Sequence, residues 1–194
     1  MSTISTEQVK KLRAVTGVSI MQCKKALEEA EGDMEKAKII LERQSKAVAL
    51  KKSDRSLGAG VVASYIHTTG TVGSLVELSC ETDFVAKNTE FKTLAYEIAM
   101  HVAASAPDFL RREEVDENAK AKAMEVFQKE VEGKPEAMKA KILEGKLASY
   151  FSEKTLLEQK YIKNQDVTIQ QLLDQAVQKF GEKTEVTRFV RFAI

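Results

Sequence analysis

Cysteine is scarce: Cys23 and Cys80 are the whole complement of a 194-residue chain. They form no CxxC pair and no zinc-ligand spacing, which argues against a disulfide framework or a zinc module. Cys23 falls in a helical pattern and Cys80 in a strand pattern, so both read as small core residues. Net charge is equally scarce, +1 from 30 basic and 29 acidic side chains. That balance argues against a nucleic-acid partner held by bulk electrostatics. No stretch is apolar for long enough to span a membrane, and "MSTISTEQVKKLRAV" at the N-terminus has no apolar signal region. No membrane partner is expected, and the default compartment is intracellular and reducing, the cytoplasm.

Catalytic signatures are missing as well. The chain has no P-loop, GxGxxG, HExxH or GxSxG. Only two histidines occur, His67 and His101, and no spacing joins either to a cysteine as a nucleophile pair. No catalytic residue, cofactor or metal site is expected, so the chain does not read as an enzyme. His101, inside "YEIAMHVAAS", reads as a polar residue at the edge of a helix face. His67 ends a strand beside a turn, where it is either solvated or a contact to something outside. Low-complexity tracts and internal repeats are also absent.

What is present is the composition of an ordinary soluble protein, 43% hydrophobic and 30% charged, with enough length for a real core in one or two domains. Residues 1–52 read as three short helices. Ser5 and Gln8 have capping-box spacing, and so do Ser19 and Gln22. Gly17 and Gly32 break the pattern, and Asp33 can cap the third helix. Cys23, Ala26, Leu27 and Ala30 form one face of the second helix. "KKSDRSLGAG" (Lys51 to Gly60) is polar, charged and glycine-bearing, so residues 53–60 read as a linker. Residues 61–194 then form a second domain.

That domain opens with two strands joined at Thr68–Thr71. Val76, Leu78 and Cys80 share one face of the second strand. A helix follows, capped at Asn88 or Thr89, with Phe91, Leu94, Ala95, Ile98 and Val102 as one apolar stripe. Residues 109–160 read as a charged helical insertion, its two halves separated at Gly133 and Pro135. "LLEQKYIKNQDV" reads as a loop. Ile169, Leu172, Leu173, Ala176, Val177 and Phe180 form the most regular helix face in the chain, and Gly181 stops it. "EVTRFVRFAI" alternates as a last strand, which can pair with the hairpin, since a bare hairpin is unstable alone.

Between the second strand and the next helix lies "ELSCETDFVAKN" (Glu77 to Asn88). Asp83 is an ordinary turn residue there. Phe84 is either a lid on the domain's own core or a wedge meant for another protein. Physics alone favours the lid, because exposed aromatics are uncommon outside interfaces.

Two segments shift that weighting. "LRAVTGVSIMQCKKAL" (Leu12 to Leu27) and "ELSCETDFVAKN" closely resemble the two signature motifs of the bacterial and organellar elongation factor Ts family. "IAMHVAASAP" and the terminal "VTRFVRFAI" look like family segments too, so the resemblance covers nearly the whole chain. It implies an α+β fold: an N-terminal three-helix unit similar to a ubiquitin-associated domain, then a small antiparallel three-stranded sheet packed with helices. It implies a guanine-nucleotide exchange factor for elongation factor Tu, the GTPase that carries aminoacyl-tRNA to the ribosome. The helical unit then docks on the nucleotide-binding domain of Tu, in its GDP-bound and nucleotide-free states. Thr82, Asp83, Phe84 and Val85 match the element that intrudes near the magnesium site of that GTPase. Ile20 and Lys24 match contact positions on the helical unit, where other members can have Met at position 20. Lys51 and Lys52 match contact lysines before the linker. His67, in "SYIH", matches a contact histidine of longer members, and Ile169, in "TIQQLL", a hydrophobic core position near the interface. Long members have two core subdomains and a protruding coiled coil. Here one hairpin carries both the TDFV element and the histidine strand, so a homodimer that supplies the missing contacts is an expectation. The alternative reading is a non-catalytic protein-binding adaptor acting through the N-terminal helical unit.

Overall fold

The computed structural model describes residues 4–131 and 135–194. Three helices come first, α1 (Thr6–Thr16), α2 (Ile20–Glu29) and α3 (Met34–Lys51). The hairpin β1 (Ala59–Ile66) and β2 (Val72–Cys80) follows, then α4 (Asp83–Lys87) and α5 (Thr89–Ser105). Next are α6 (Glu117–Glu130), α7 (Glu136–Lys154), β3 (Lys160–Tyr161) and β4 (Asn164–Thr168). The chain closes with α8 (Ile169–Phe180) and β5 (Thr184–Ala193). The fold is α+β, as the sequence implies. The strand order β1-β2-β5 makes one three-stranded sheet, and β3-β4 an antiparallel two-stranded ribbon.

The local signals act as read. Ser5 Oγ accepts from the Gln8 N–H at 3.1 Å, and Gln8 Oε1 accepts from the Ser5 N–H at 2.9 Å, which is the full capping box. Ser19 caps α2, and Asp33 caps α3 by accepting from the N–H groups of Glu35 and Lys36. Leu12, Val18, Cys23, Ala26, Leu27, Ala37 and Leu41 are buried together. Helices this short are marginal alone, so burial at about 1.5–3 kcal/mol per large aliphatic side chain is what holds them.

In the three-stranded sheet, Ser79 and Thr187 share a hydrogen bond of 2.6 Å between their hydroxyls. At the other end the Ile194 N–H donates to the Thr71 carbonyl at 3.0 Å, so β5 runs antiparallel to β2. The alternation of β5 slips once: Thr187 and Arg188 are both exposed, which turns Val190 and Phe192 outward. Gly60 is required by close approach, since a Cβ there would lie 2.6 Å from the Leu78 carbonyl oxygen.

The chain divides into two compact units. The first comprises Met1–Ala63, Val76–Tyr96 and Gln170–Thr187. Besides the helical core it buries Val76, Leu78, Cys80, Val85, Phe91, Leu94, Leu173 and Val177. Ser45 on α3 is buried and hydrogen-bonded to Gln178 on α8, and Lys52 Nζ donates to the Gly181 carbonyl at 2.7 Å.

The second unit comprises Ser64–Leu75, Glu97–Ile169 and Arg188–Ile194. Val115, Ala123 and Phe151 form a small core of their own between α6 and α7. Gly133, read as part of the break between these helices, lies outside the described residues, and Pro135 stands at the N-cap of α7. Two features here differ from the sequence reading. The segment read as a loop is a 3-10 turn, Leu156–Glu158, followed by the β3-β4 ribbon. Strands of two and five residues are too short to show a period. His101, read as an edge residue, is fully buried. Gln159 Nε2 donates to the carbonyls of Ser105 and Glu153, so its Oε1 is left to accept from His101 Nε2 at 2.9 Å. Burial lowers the His101 pKa below its ordinary value. It is a neutral structural histidine.

Candidate functional site

The site begins where β2 ends. Cys80 is buried and its thiol donates to the Thr82 carbonyl at 3.2 Å. Burial raises the pKa of that thiol, and the carboxylates of Glu182 and Glu81 add to the effect. Thr82 precedes α4 in an extended conformation, with no side-chain hydrogen bond to the helix it opens. Asn88 interrupts the helix after one turn, and its side chain accepts from the Glu90 N–H at 2.8 Å, which starts α5 afresh.

Val85 and Ala86 point inward and are buried, whereas Phe84 is 81% exposed. Phe84 is therefore not a lid on the protein's own core, which reverses the balance that general physics suggested. Val85, carried in the sequence reading as a contact residue, anchors the helix from beneath. Asp83 forms an exposed ion pair with Lys87 at 2.6 Å. The hydrogen bond from Lys87 and its positive charge lower the pKa of the Asp83 carboxyl, so it stays ionised at neutral pH.

The surroundings of α4 are held from one stretch near the end of α8. Phe180 packs edge-on against Phe91 at 5.6 Å between ring centroids, and Lys179 pairs with Glu90 at 2.9 Å. Gly181 adopts φ +73°, a left-handed conformation that favours glycine. Beyond that turn the Glu182 carboxylate accepts from the Thr82 N–H at 3.0 Å and its hydroxyl at 2.5 Å. In return the Glu81 carboxylate accepts from the Lys183 N–H at 2.6 Å and from Arg55 at 3.2 Å. Those bonds, the backbone N–H foremost, hold the Glu81 pKa below its ordinary value.

The other sequence-named residues are distributed as follows. Lys52 joins this cluster through Gly181 and is among the charges acting on Glu81. Lys51 is exposed at the end of α3. Ile20 is exposed at the start of α2, and Lys24 one turn later pairs with Glu28 at 3.7 Å. Sequence reasoning passed over Val15, Met21 and Ile39, which are also exposed on the helical unit. Their signal was available: apolar side chains off the buried stripe. In the second unit, His67 is exposed just after β1, with Nδ1 3.1 Å from the Tyr65 hydroxyl. Ile169 is fully buried, so it supports a surface and does not form one. The second unit also leaves Ile66, Leu75, Val190, Phe192 and Ile194 exposed. Among the described residues, no group of three or more His, Cys, Asp or Glu side chains could hold a metal ion. No helix of those residues is long and apolar enough to cross a membrane.

These observations define an α+β protein that presents apolar side chains to solvent on braced elements, above all Phe84. Comparison with known proteins makes this specific. The family model described as elongation factor TS matches residues 2–194. Elongation factor Ts of Desulforamulus reducens is 48% identical over 194 residues, 99% of this chain and 89% of the relative. That of Thermosipho melanesiensis is 45% identical over 193 residues, 98% of each chain. That of Thermotoga neapolitana is 43% identical over 191 residues, covering 98% and 97%. The chain belongs to the elongation factor Ts family of translation elongation factors.

Proposed function

We propose that this chain binds elongation factor Tu and releases its GDP, with Asp83-Phe84 as the wedge. The observation that carries the reading is Phe84, 81% exposed on a one-turn helix whose neighbours Val85 and Ala86 are buried. An aromatic held outward in the TDFV element of an elongation factor Ts chain is suited to enter another protein.

The mechanism is one of coupling. A factor that binds the nucleotide-free GTPase more tightly than the nucleotide-bound form must weaken nucleotide binding by the same factor. It needs no active site of its own; it needs a rigid platform and a protruding group. The sheet and α5 are the platform. Burying a phenylalanine removes roughly 150–250 Å² from water, a few kcal/mol at about 25 cal/mol per Å². Spent inside the partner, that displaces its elements at the magnesium and phosphate contacts. Asp83 contributes less, because Lys87 neutralises part of its charge and solvent screens the rest. Residues 1–52 dock through Ile20, Lys24, Lys51 and Lys52 on the nucleotide-binding domain. Residues 61–194 supply the wedge and His67.

The test is release of fluorescent GDP from purified elongation factor Tu, chased with unlabelled GDP, at increasing amounts of this protein. Saturable acceleration is expected. A release rate independent of the added protein overturns the proposal.

The same reading includes a homodimer through the outer face of the sheet. Ile66 and Phe192 there are 67% and 68% exposed, beside Leu75 and Val190, and a flat apolar face can pair with its own copy about a two-fold axis. Sedimentation of the intact protein and of Phe192→Asp should give a dimer and a monomer. A monomeric wild type removes the dimer and leaves the wedge. The adaptor alternative rests on the exposed Val15, Ile20, Met21 and Ile39. It predicts protein binding through the first fifty residues alone and no effect of this chain on nucleotide release.

A further inference from the structure

A five-residue helix cannot set its own direction. One turn has no stable nucleus in water, and Thr82 offers α4 no side-chain cap. Direction must come from outside the helix, and residues 179–183 grip the chain on both sides of it. After α4, Lys179 holds Glu90 and Phe180 packs on Phe91. Before α4, the Glu182 carboxylate takes both the N–H and the hydroxyl of Thr82, at 3.0 and 2.5 Å. Bonds to an ionised acceptor are roughly twice as strong as neutral ones, and using both oxygens on one residue fixes an angle as well as a distance. The crossed bond from the Lys183 N–H to Glu81, 2.6 Å, closes a two-carboxylate clasp. Glu182 is half-buried and Thr82 exposed, so the clasp lies beside the wedge, not in the core.

We infer that Glu182 is a positioning residue for nucleotide exchange: by holding Thr82 at both polar groups it aims Phe84, without itself entering the partner. This rests on the wedge reading above. Removing the carboxylate leaves Val85 and Ala86 packed and Phe84 exposed, but frees α4 to turn about its buried side. The complex then forms with nearly its normal affinity, and fewer encounters carry Phe84 to the right place.

The experiment uses the full chain with elongation factor Tu and fluorescent GDP. It compares wild type, Glu182→Ala, Phe84→Ala and the double variant. For each it records the maximal release rate, the half-saturating concentration and the melting temperature. Glu182→Ala should lower the maximal rate on the order of tenfold, shift half-saturation by less than about twofold, and melt near the wild type. The double variant should be no slower than Phe84→Ala alone, because a positioning residue has nothing left to position. Thr82→Val should mimic part of the loss and Thr82→Ser restore it. If Glu182→Ala melts below the assay temperature, Glu182→Gln, which keeps one acceptor oxygen, takes its place in the cycle. A wild-type maximal rate for Glu182→Ala beside a slow Phe84→Ala overturns this inference and leaves the wedge standing. Losses that multiply in the double variant also overturn it. A wild-type rate for Phe84→Ala overturns the wedge itself.

Discussion

Phe84 and Phe91 stand seven residues apart on α4 and α5, and one is 81% exposed while the other is fully buried. Phe91 starts a stripe that continues through Leu94, Ala95, Ile98 and Val102, all buried. A seventeen-residue helix has enough turns for such a stripe to choose its face. The five residues of α4 provide one turn, and there the buried choice fell on Val85 and Ala86. Two identical side chains so close in sequence were sorted by what surrounds them. Periodicity thus identifies core residues well and says little about a functional aromatic outside a stripe.

Substitution at both sites is the direct way to break the comparison. Phe91→Ala should cost about 3–5 kcal/mol of stability, because it leaves a cavity against Phe180, and urea denaturation reads this as a lower midpoint. Phe84→Ala should change stability by less than about 1 kcal/mol while slowing GDP release from elongation factor Tu on the order of tenfold or more. If the two variants lose stability alike, Phe84 belongs to the core and the contrast is void.

The histidines form a second such pair, His101 buried and His67 exposed. The folded-state pKa of His101 is lowered, chiefly by desolvation. The unfolded chain therefore takes up a proton below about pH 6.5 that the folded chain refuses, so stability is present above that pH and lost as pH falls below it. Wild type should lose more stability between pH 7.5 and 5.5 than His101→Gln, followed by urea denaturation at each pH. Parallel pH profiles would place the loss in other groups. The smallest effect is expected at Asp83. Asp83→Asn should slow GDP release by no more than about threefold, since its charge is exposed and screened. A loss as large as that of Phe84→Ala would make charge, not shape, the working part.

Much of the fold was legible beforehand. Ser5, Ser19 and Asp33 cap the helices they were expected to cap, the apolar stripe of α5 is buried, and Gly181 ends α8. These are interactions within a few residues, and sequence patterns report them directly. The motif around Phe84 was legible too, as a resemblance. The burial of Ile169, on the most regular helix face, was legible as well; the inward turn of Val85 and the partnership of His101 with Gln159 were not. Each depends on a neighbour distant in the chain or on a helix too short to show a face.

The sequence by itself determined where the capped helices begin, and which family motif sits between β2 and α5, because caps, turns and stripes are settled among residues at most four apart; it did not determine the β3-β4 ribbon or that β1 starts at Ala59, inside the segment read as a linker. Only the tertiary structure decided that Phe84 faces outward. It faces outward because the one turn of α4 buries Val85 and Ala86 instead, and Thr82 before it is held by Glu182, a hundred residues further along the chain; no local pattern carries information over that separation.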